Sequence, residues 1–297
     1  MSILRRWMPP LALLVLLLLA WELVVRLGEI PPWLLPPPSV LPGAIVQDRA
    51  DLLRHTLVTT QEVLLGLVVS TVLAVGVAVA IAFSALIERA IYPLVVASQS
   101  VPLPILAPLL IIFLGYGLAP KILLVTLICF FPIVVNTVDG LRGVERDTID
   151  LLRTFGASRW QIFRTVRWPA ALPLFFSGLR VAAAVSVIGA VFGELVGGSA
   201  GLGYYVRHET PLFHTAEVYG ATIILMLLGI ALFGAVRGLE WLALPWRRGQ
   251  LNGVRERVAS RRGTAARVKD TPQVTDWAHR TPREGGWSSR KGGHRGP

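Results

Sequence analysis

Residues 150–169 read DLLRTFGASRWQIFRTVRWP, a basic and amphipathic stretch set between two long apolar runs. An uncharged hydrophobic run of about 20 residues is long enough to cross a bilayer as a helix. A charged segment wedged between two such runs has no place in lipid, so it lies in the cytoplasm, on the membrane surface or against a partner. That placement points to transport rather than catalysis.

Working outward, the apolar runs predict an all-α integral membrane fold of six transmembrane helices within residues 9–245. Residues 1–8, with Arg5 and Arg6, form a cytoplasmic amino terminus. The first span covers 9–27, and Trp21, Glu22 and Arg26 stand where a signal peptide would place small residues for cleavage. Residues 28–55 are rich in proline and read as loop. The second span covers 56–83, followed by a turn at 84–90. The third, 91–114, is interrupted by Pro93, Pro102, Pro104 and Pro108. After a tight turn at 115–119 come the fourth span, 120–138, and the charged loop, 139–171, in which Pro169 and Pro173 end the cytoplasmic stretch. The fifth span is 172–196, an exterior loop follows at 197–217, and the sixth span is 218–239. An even number of spans places both termini in the cytoplasm. From 246 to 297 Arg, Gly, Ser, Thr and Pro dominate, which predicts a basic, disordered cytoplasmic tail able to attract anionic membrane lipid.

Composition agrees with this class. Of 297 residues, 54% are hydrophobic and 16% charged, against about 25% charged in soluble domains. Mean hydropathy is +0.61. The formal charge of +11 invites a nucleic-acid reading, but the basic residues gather at Arg5–Arg6, at 142–167 and after Arg237, with apolar spans between. That is the positive-inside pattern. The single cysteine, Cys129, excludes a disulfide within the chain. The three lysines, Lys121, Lys269 and Lys291, lie outside any phosphate-binding loop string. Nothing supplies a catalytic nucleophile, and His208, Glu209 and His214 lack the spacing of a metal-binding helix, so no enzyme activity, cofactor or metal site is expected in this chain.

Ionisable and polar groups at span depth are the candidates for a translocation pathway. Glu62 and Glu194 both fall toward the exterior. Pro102 and Pro104 break the third span, and free backbone groups there are tolerated only inside protein or beside a watery cavity. Gln99, Ser100, Thr126 and Asn136 face the passage or tie helices together. Arg180 is expected to reach back to the cytoplasmic boundary.

Within the loop, Gly156 and Ala157 separate two short helices. Leu151, Leu152 and Phe155 share one side of the first, and Trp160, Phe163 and Val166 one side of the second. Ser158 is placed to cap the second helix. The aromatic and basic face, with Arg164, suits a partner's groove or a lipid surface. Here the segment resembles the cytoplasmic coupling loop of ABC-type importer permease subunits, whose pattern is E-A-A, three residues, G, nine residues, I-x-L-P. Asp150-Leu151-Leu152 stands for the triplet, Gly156 for the glycine, and Val166-Arg167-Trp168-Pro169 for the closing string. GELVGGSAGLGY at 193–204 strengthens the likeness.

The resemblance implies a type I importer permease of the inner membrane. It implies a homodimeric pore, two ATPase subunits that bind ATP-Mg and receive the loop, and an extracytoplasmic substrate-binding protein. It is strongest to the nitrate, sulfonate, taurine and pyrimidine-precursor branch. Carboxylates beside a pathway favour a neutral or cationic cargo such as a thiamine-precursor-like pyrimidine over a sulfonate, taurine or nitrate. An ion-gradient-driven secondary transporter and a membrane scaffold are the rivals from other classes; neither explains the loop.

Overall fold

The computed structural model describes residues 2–245 of the chain; the expected tail at 246–297 lies outside the described residues, which form helices joined by turns with no strand among them. The helices are α1 (Ser2–Leu27), α2 (Leu41–Gln47), α3 (Arg49–Phe83), α4 (Ala85–Ala97), α5 (Leu103–Leu114), α6 (Leu118–Arg142), α7 (Arg146–Thr154), α8 (Arg159–Ile162), α9 (Trp168–Gly197), α10 (Leu202–Glu209) and α11 (Thr215–Ala243). Five are long and apolar enough to cross a membrane, and α4 with α5 makes a sixth, broken crossing bent by 105°.

The core is α6, held between α9 and α3. Lipid tails are as apolar as leucine, so close backbone approach and interhelical hydrogen bonds hold such a bundle together. At Gly178 of α9 a Cβ would fall 2.4 Å from the Pro132 carbonyl oxygen of α6, so only glycine allows this crossing. Val125, Cys129, Ile133, Ala182 and Ala183 are fully buried around it. Ser70 donates to the Thr126 carbonyl at 3.0 Å and Thr126 to the Gly66 carbonyl at 3.3 Å, joining α3 to α6. Hydrogen bonds of this kind contribute on the order of 0.6 kcal/mol each.

The periphery differs. From Met8 to Leu19 α1 is exposed on every side. Only its end is tied down, where Glu22 accepts from Arg26 at 2.5 Å and from the Ser39 amide at 3.1 Å, and Trp21 meets Tyr219 with ring centroids 5.5 Å apart.

Several expected boundaries move. The stretch 28–55 is not all loop, because Pro42 opens α2 instead of stopping a helix, in the first-turn position where its missing N–H costs nothing. The third crossing begins at Ala85, and its break is confined to 98–102. Val101 is extended (φ −84°, ψ 119°), as the residue before a proline tends to be. Pro169 and Pro173 do not end the loop: α8, a π-turn at Phe163–Arg167 and α9 form one helical rod over 159–197. Trp168 donates five residues back to Phe163, and Pro169 supplies no N–H to restore the ordinary ladder. The loop at 197–217 contains α10. Arg180 pairs with Glu240, near the carboxyl-terminal end of α11.

Candidate functional site

Polar chemistry gathers at the two ends of the bundle. At one end lies the 146–167 segment. Helix α7 stops in a tight turn at Gly156, whose φ of +81° is costly for any other residue. The Gly156 amide donates to Arg153 at 2.9 Å and the Ala157 amide to Leu152 at 3.0 Å, the paired closure of a Schellman turn. Two residues on, Ser158 and Gln161 form a capping box: Ser158 Oγ accepts from the Gln161 amide at 3.3 Å, and the Gln161 side chain accepts from the Ser158 amide at 2.7 Å. The turn between the two helices is thus fixed by the Gly156 backbone and the Ser158–Gln161 box, which leaves the exposed side chains on either side of it free to meet something else.

Those side chains divide cleanly. Leu151 (58%), Phe155 (79%) and Trp160 (58%) are exposed, with Asp150, Gly156, Ser158 and Arg164, while Leu152, Ala157 and Pro169 are half-buried. Asp150 pairs with Arg153 at 3.0 Å, an exposed contact of little energetic weight. Phe163 departs from expectation. It is buried at 7%, stacked among Phe83, Trp160 and Trp168 with centroids 5.1, 5.5 and 6.0 Å away. With Ile149 and Ile162, also buried, it fastens the segment to the end of α3. The face presented outward is therefore Leu151, Phe155 and Trp160.

At the other end Glu62 and Glu194 come together, but not in an open channel. Glu62 is 1% and Glu194 0% exposed. Lys121 of α6 donates to Glu62 at 2.6 Å and to the Ala200 carbonyl at 3.4 Å. Glu194 accepts from the Thr59 hydroxyl at 2.7 Å and from the Gly203 amide at 2.6 Å. The same Thr59 oxygen accepts from the Leu202 amide at 2.8 Å, and His55 Nδ1 accepts from the Gly201 amide at 3.0 Å. Gly201 is required here: its φ is +110°, and a Cβ would fall 2.0 Å from Glu194 Oε1. Three consecutive amides at 201–203 thereby clasp α10 onto α3 and α9. Tyr205 adds a bond to Asp48, and burial together with that carboxylate raises its phenol above the usual range. Glu62 and Lys121 also border a cleft of about 680 Å³ with Tyr116, Ser199 and Arg207.

The remaining candidates lie apart from this cluster. Gln99, Pro102 and Pro104 are exposed at the break between α4 and α5. Asn136 is half-buried and donates to Pro132 of its own helix at 2.8 Å. Beyond α10, Glu209 accepts from or bridges His208 at 2.9 Å and His214 at 2.7 Å. Sequence reasoning missed Lys121, Thr59 and Gly203 as partners of the carboxylates, and the His55–Gly201 bond beside them. The signal was present for Lys121, the one lysine inside a span.

A helical bundle with a broken crossing and a loop that offers apolar side chains beyond its own core defines a multi-pass membrane transport component. Residues 70–240 match the family described as binding-protein-dependent transport system inner membrane component, and the chain belongs to that family of ABC importer permeases. It is 37% identical over 243 residues to the formylaminopyrimidine transport permease protein ThiX of Halalkalibacterium halodurans, covering 81% of this chain and 96% of that one. It is 30% identical over 243 residues to the putative aliphatic sulfonates transport permease protein SsuC of Bacillus subtilis, covering 81% and 88%. Among solved structures, a chain of the MetNI methionine ABC transporter in an inward-facing conformation shares the fold, with a TM-score of 0.58, 21% identity, and coverage of 65% of this chain and 95% of that one. These relatives are transport permeases rather than enzymes.

Proposed function

We propose that this permease imports a small aminopyrimidine-type nutrient, handed over by an extracytoplasmic binding protein and driven by ATP hydrolysed in a separate subunit. Two copies of this chain form the pore and two ATPase subunits, which hold the ATP-Mg, dock against it. The carrying observation is the outward set Leu151, Phe155 and Trp160 on a backbone locked by Gly156 and the Ser158 box. Exposed apolar side chains beside arginines suit a protein groove. The concentration of basic residues at that end supports a cytoplasmic loop and cytoplasmic termini. The Glu62–Lys121–Glu194 cluster borders the path at the exterior end, while Gln99, Pro102, Pro104 and Asn136 line it deeper in. The two states are biased by ATP on one side and by loaded binding protein on the other.

The substrate class rests on the likeness to ThiX, a formylaminopyrimidine permease by name, which exceeds the likeness to the sulfonate permease. Cysteines placed at Phe155 or Trp160 should crosslink to the ATPase subunit in membranes, and their failure to do so refutes the docking. Calorimetry of the cognate binding protein against formylaminopyrimidine and taurine decides the cargo: tight binding of taurine alone refutes the pyrimidine assignment.

A further inference from the structure

The loop end carries a second feature that docking does not use. Two adjoining clefts run between the end of α3, the start of α4, the end of α6 and the 146–167 segment. In the larger, about 580 Å³, Phe83, Ala85 and Val144 form the accessible apolar wall, beside a rim that includes Glu88, Arg142, Arg146 and Arg167. The smaller, about 180 Å³, adds Arg153 and Arg159 and shares Arg167. Two of these arginines are already matched. Arg142 pairs with Glu88 at 2.5 Å and lies over the Tyr92 ring, and Arg153 pairs with Asp150. Arg146 and Arg159 make no ion pair with any described residue. Arg167 reaches only the Ala82 carbonyl at 3.4 Å, and its Nε is buried without a hydrogen-bond partner. A buried guanidinium donor left unmet is costly, and with exposed Arg146 on the larger cleft and exposed Arg159 on the smaller, Arg167 between them is placed to share an anion.

We infer that this pair of clefts binds the phosphate of an anionic phospholipid from the cytoplasmic leaflet, with the arginines on the headgroup and the first carbons of its chains against the apolar wall. Phosphate is the natural ligand for arginine's planar fork. An apolar wall leading to a basic rim fits an amphipathic ligand, which separates a lipid from a free anion or an acidic side chain. The site anchors the α3–α4 corner and the loop to the same lipid, so the loop's seating depends on membrane charge.

The test uses the full-length chain, purified with the subunits that accompany it, stripped of lipid and returned to mixed phosphatidylcholine–phosphatidylglycerol micelles. Bound lipid is read by native mass spectrometry. The expected result is retained phosphatidylglycerol, displaced by its short-chain form and not by inorganic phosphate. Each surface arginine contributes about fivefold in lipid affinity, so Arg146→Gln with Arg159→Gln should weaken retention roughly 25-fold, while Arg146→Lys with Arg159→Lys should restore most of it. Both positions lack partners in the fold, so the pair should leave the protein intact. Equal retention by the glutamine variant, equal retention of phosphatidylcholine, or displacement by inorganic phosphate overturns the proposal. Retained lipid with loss of the accompanying ATPase subunit also overturns it, and reassigns the arginines to a protein partner.

Discussion

Gly201→Ala is the substitution that most directly interrogates the clasp at 201–203. The new methyl would lie 2.0 Å from Glu194 Oε1 and 2.2 Å from its Cδ. A carboxylate at the end of a flexible side chain would ordinarily swing away at little cost. Here it is pinned by Thr59 at 2.7 Å and by Gly203 at 2.6 Å, so moving it forfeits both bonds. Hydrogen bonds to a charged acceptor are worth about 1.5–3 kcal/mol each. The backbone at φ +110°, ψ 165° adds about 1–3 kcal/mol for a non-glycine residue. Taking the low ends, the variant loses about 4 kcal/mol, a fall of about 10 °C in melting temperature for a chain of this size. The assay is thermal unfolding of the purified protein in detergent. Gly76→Ala is the control, since that helical position has open space around it and should gain about 0.5–1 kcal/mol. Glu194→Ala combined with Gly201→Ala removes the collision and loses the two bonds only once, so the pair should cost about 3 kcal/mol less than the sum of the single changes. A melting temperature unchanged by Gly201→Ala, or strictly additive losses, would refute the claim that the glycine exists to admit the carboxylate.

Other consequences follow from the same geometry. Lys121→Met leaves Glu62 buried with its only cation gone, which should cost about 3–5 kcal/mol; adding Glu62→Leu should recover most of it, and thermal melts of both variants compare the two. Gly156→Val meets no atom within 4 Å but must adopt φ +81°, at about 1–2 kcal/mol. Insertion and folding should survive while ATP hydrolysis no longer drives uptake, measured as the ratio of the two rates in proteoliposomes. At 209–214, hydrogen bonding to Glu209 holds His214 above its usual 6.5. Burial pushes Glu209 up, but His208 and His214 outweigh it and leave the carboxyl below its usual 4.5. The histidine's contribution is therefore complete below pH 6.5 and lost as pH rises through its folded value, and the carboxylate's is complete above pH 4.5 and lost on further acidification. Amide protection across 209–215, taken relative to the intrinsic exchange rate at each pH, should be greatest between those limits, and a flat protection profile would contradict the bridge.

What the sequence made legible is what a few neighbouring residues decide. The turn at Gly156 and the cap at Ser158 each need only atoms within about four residues, and both were read correctly from the string 150–169. Apolar run length likewise locates the crossings without knowing what they touch. Prolines were misread for a physical reason: the missing N–H is harmful only where a helix would have used it. Pro42 falls in a first turn and Pro169 follows a π-turn, and neither location is visible until the helix start is known. Phe163 was assigned outward because helical spacing fixes which side chains share a face, but not which face meets α3. Glu62 and Glu194 show the limit most clearly. A carboxylate in an apolar run signals that something must compensate it, yet the compensating groups are 59 residues away in Lys121 and 135 away in Thr59. The cost of burying two carboxylates beside one lysine has a structural return, because Glu194 accepts from the Gly203 amide and from Thr59, whose oxygen in turn accepts from the Leu202 amide and so holds the 201–203 segment. Any movement of residues 201–203 away from α3 and α9 therefore has a defined set of hydrogen bonds to break.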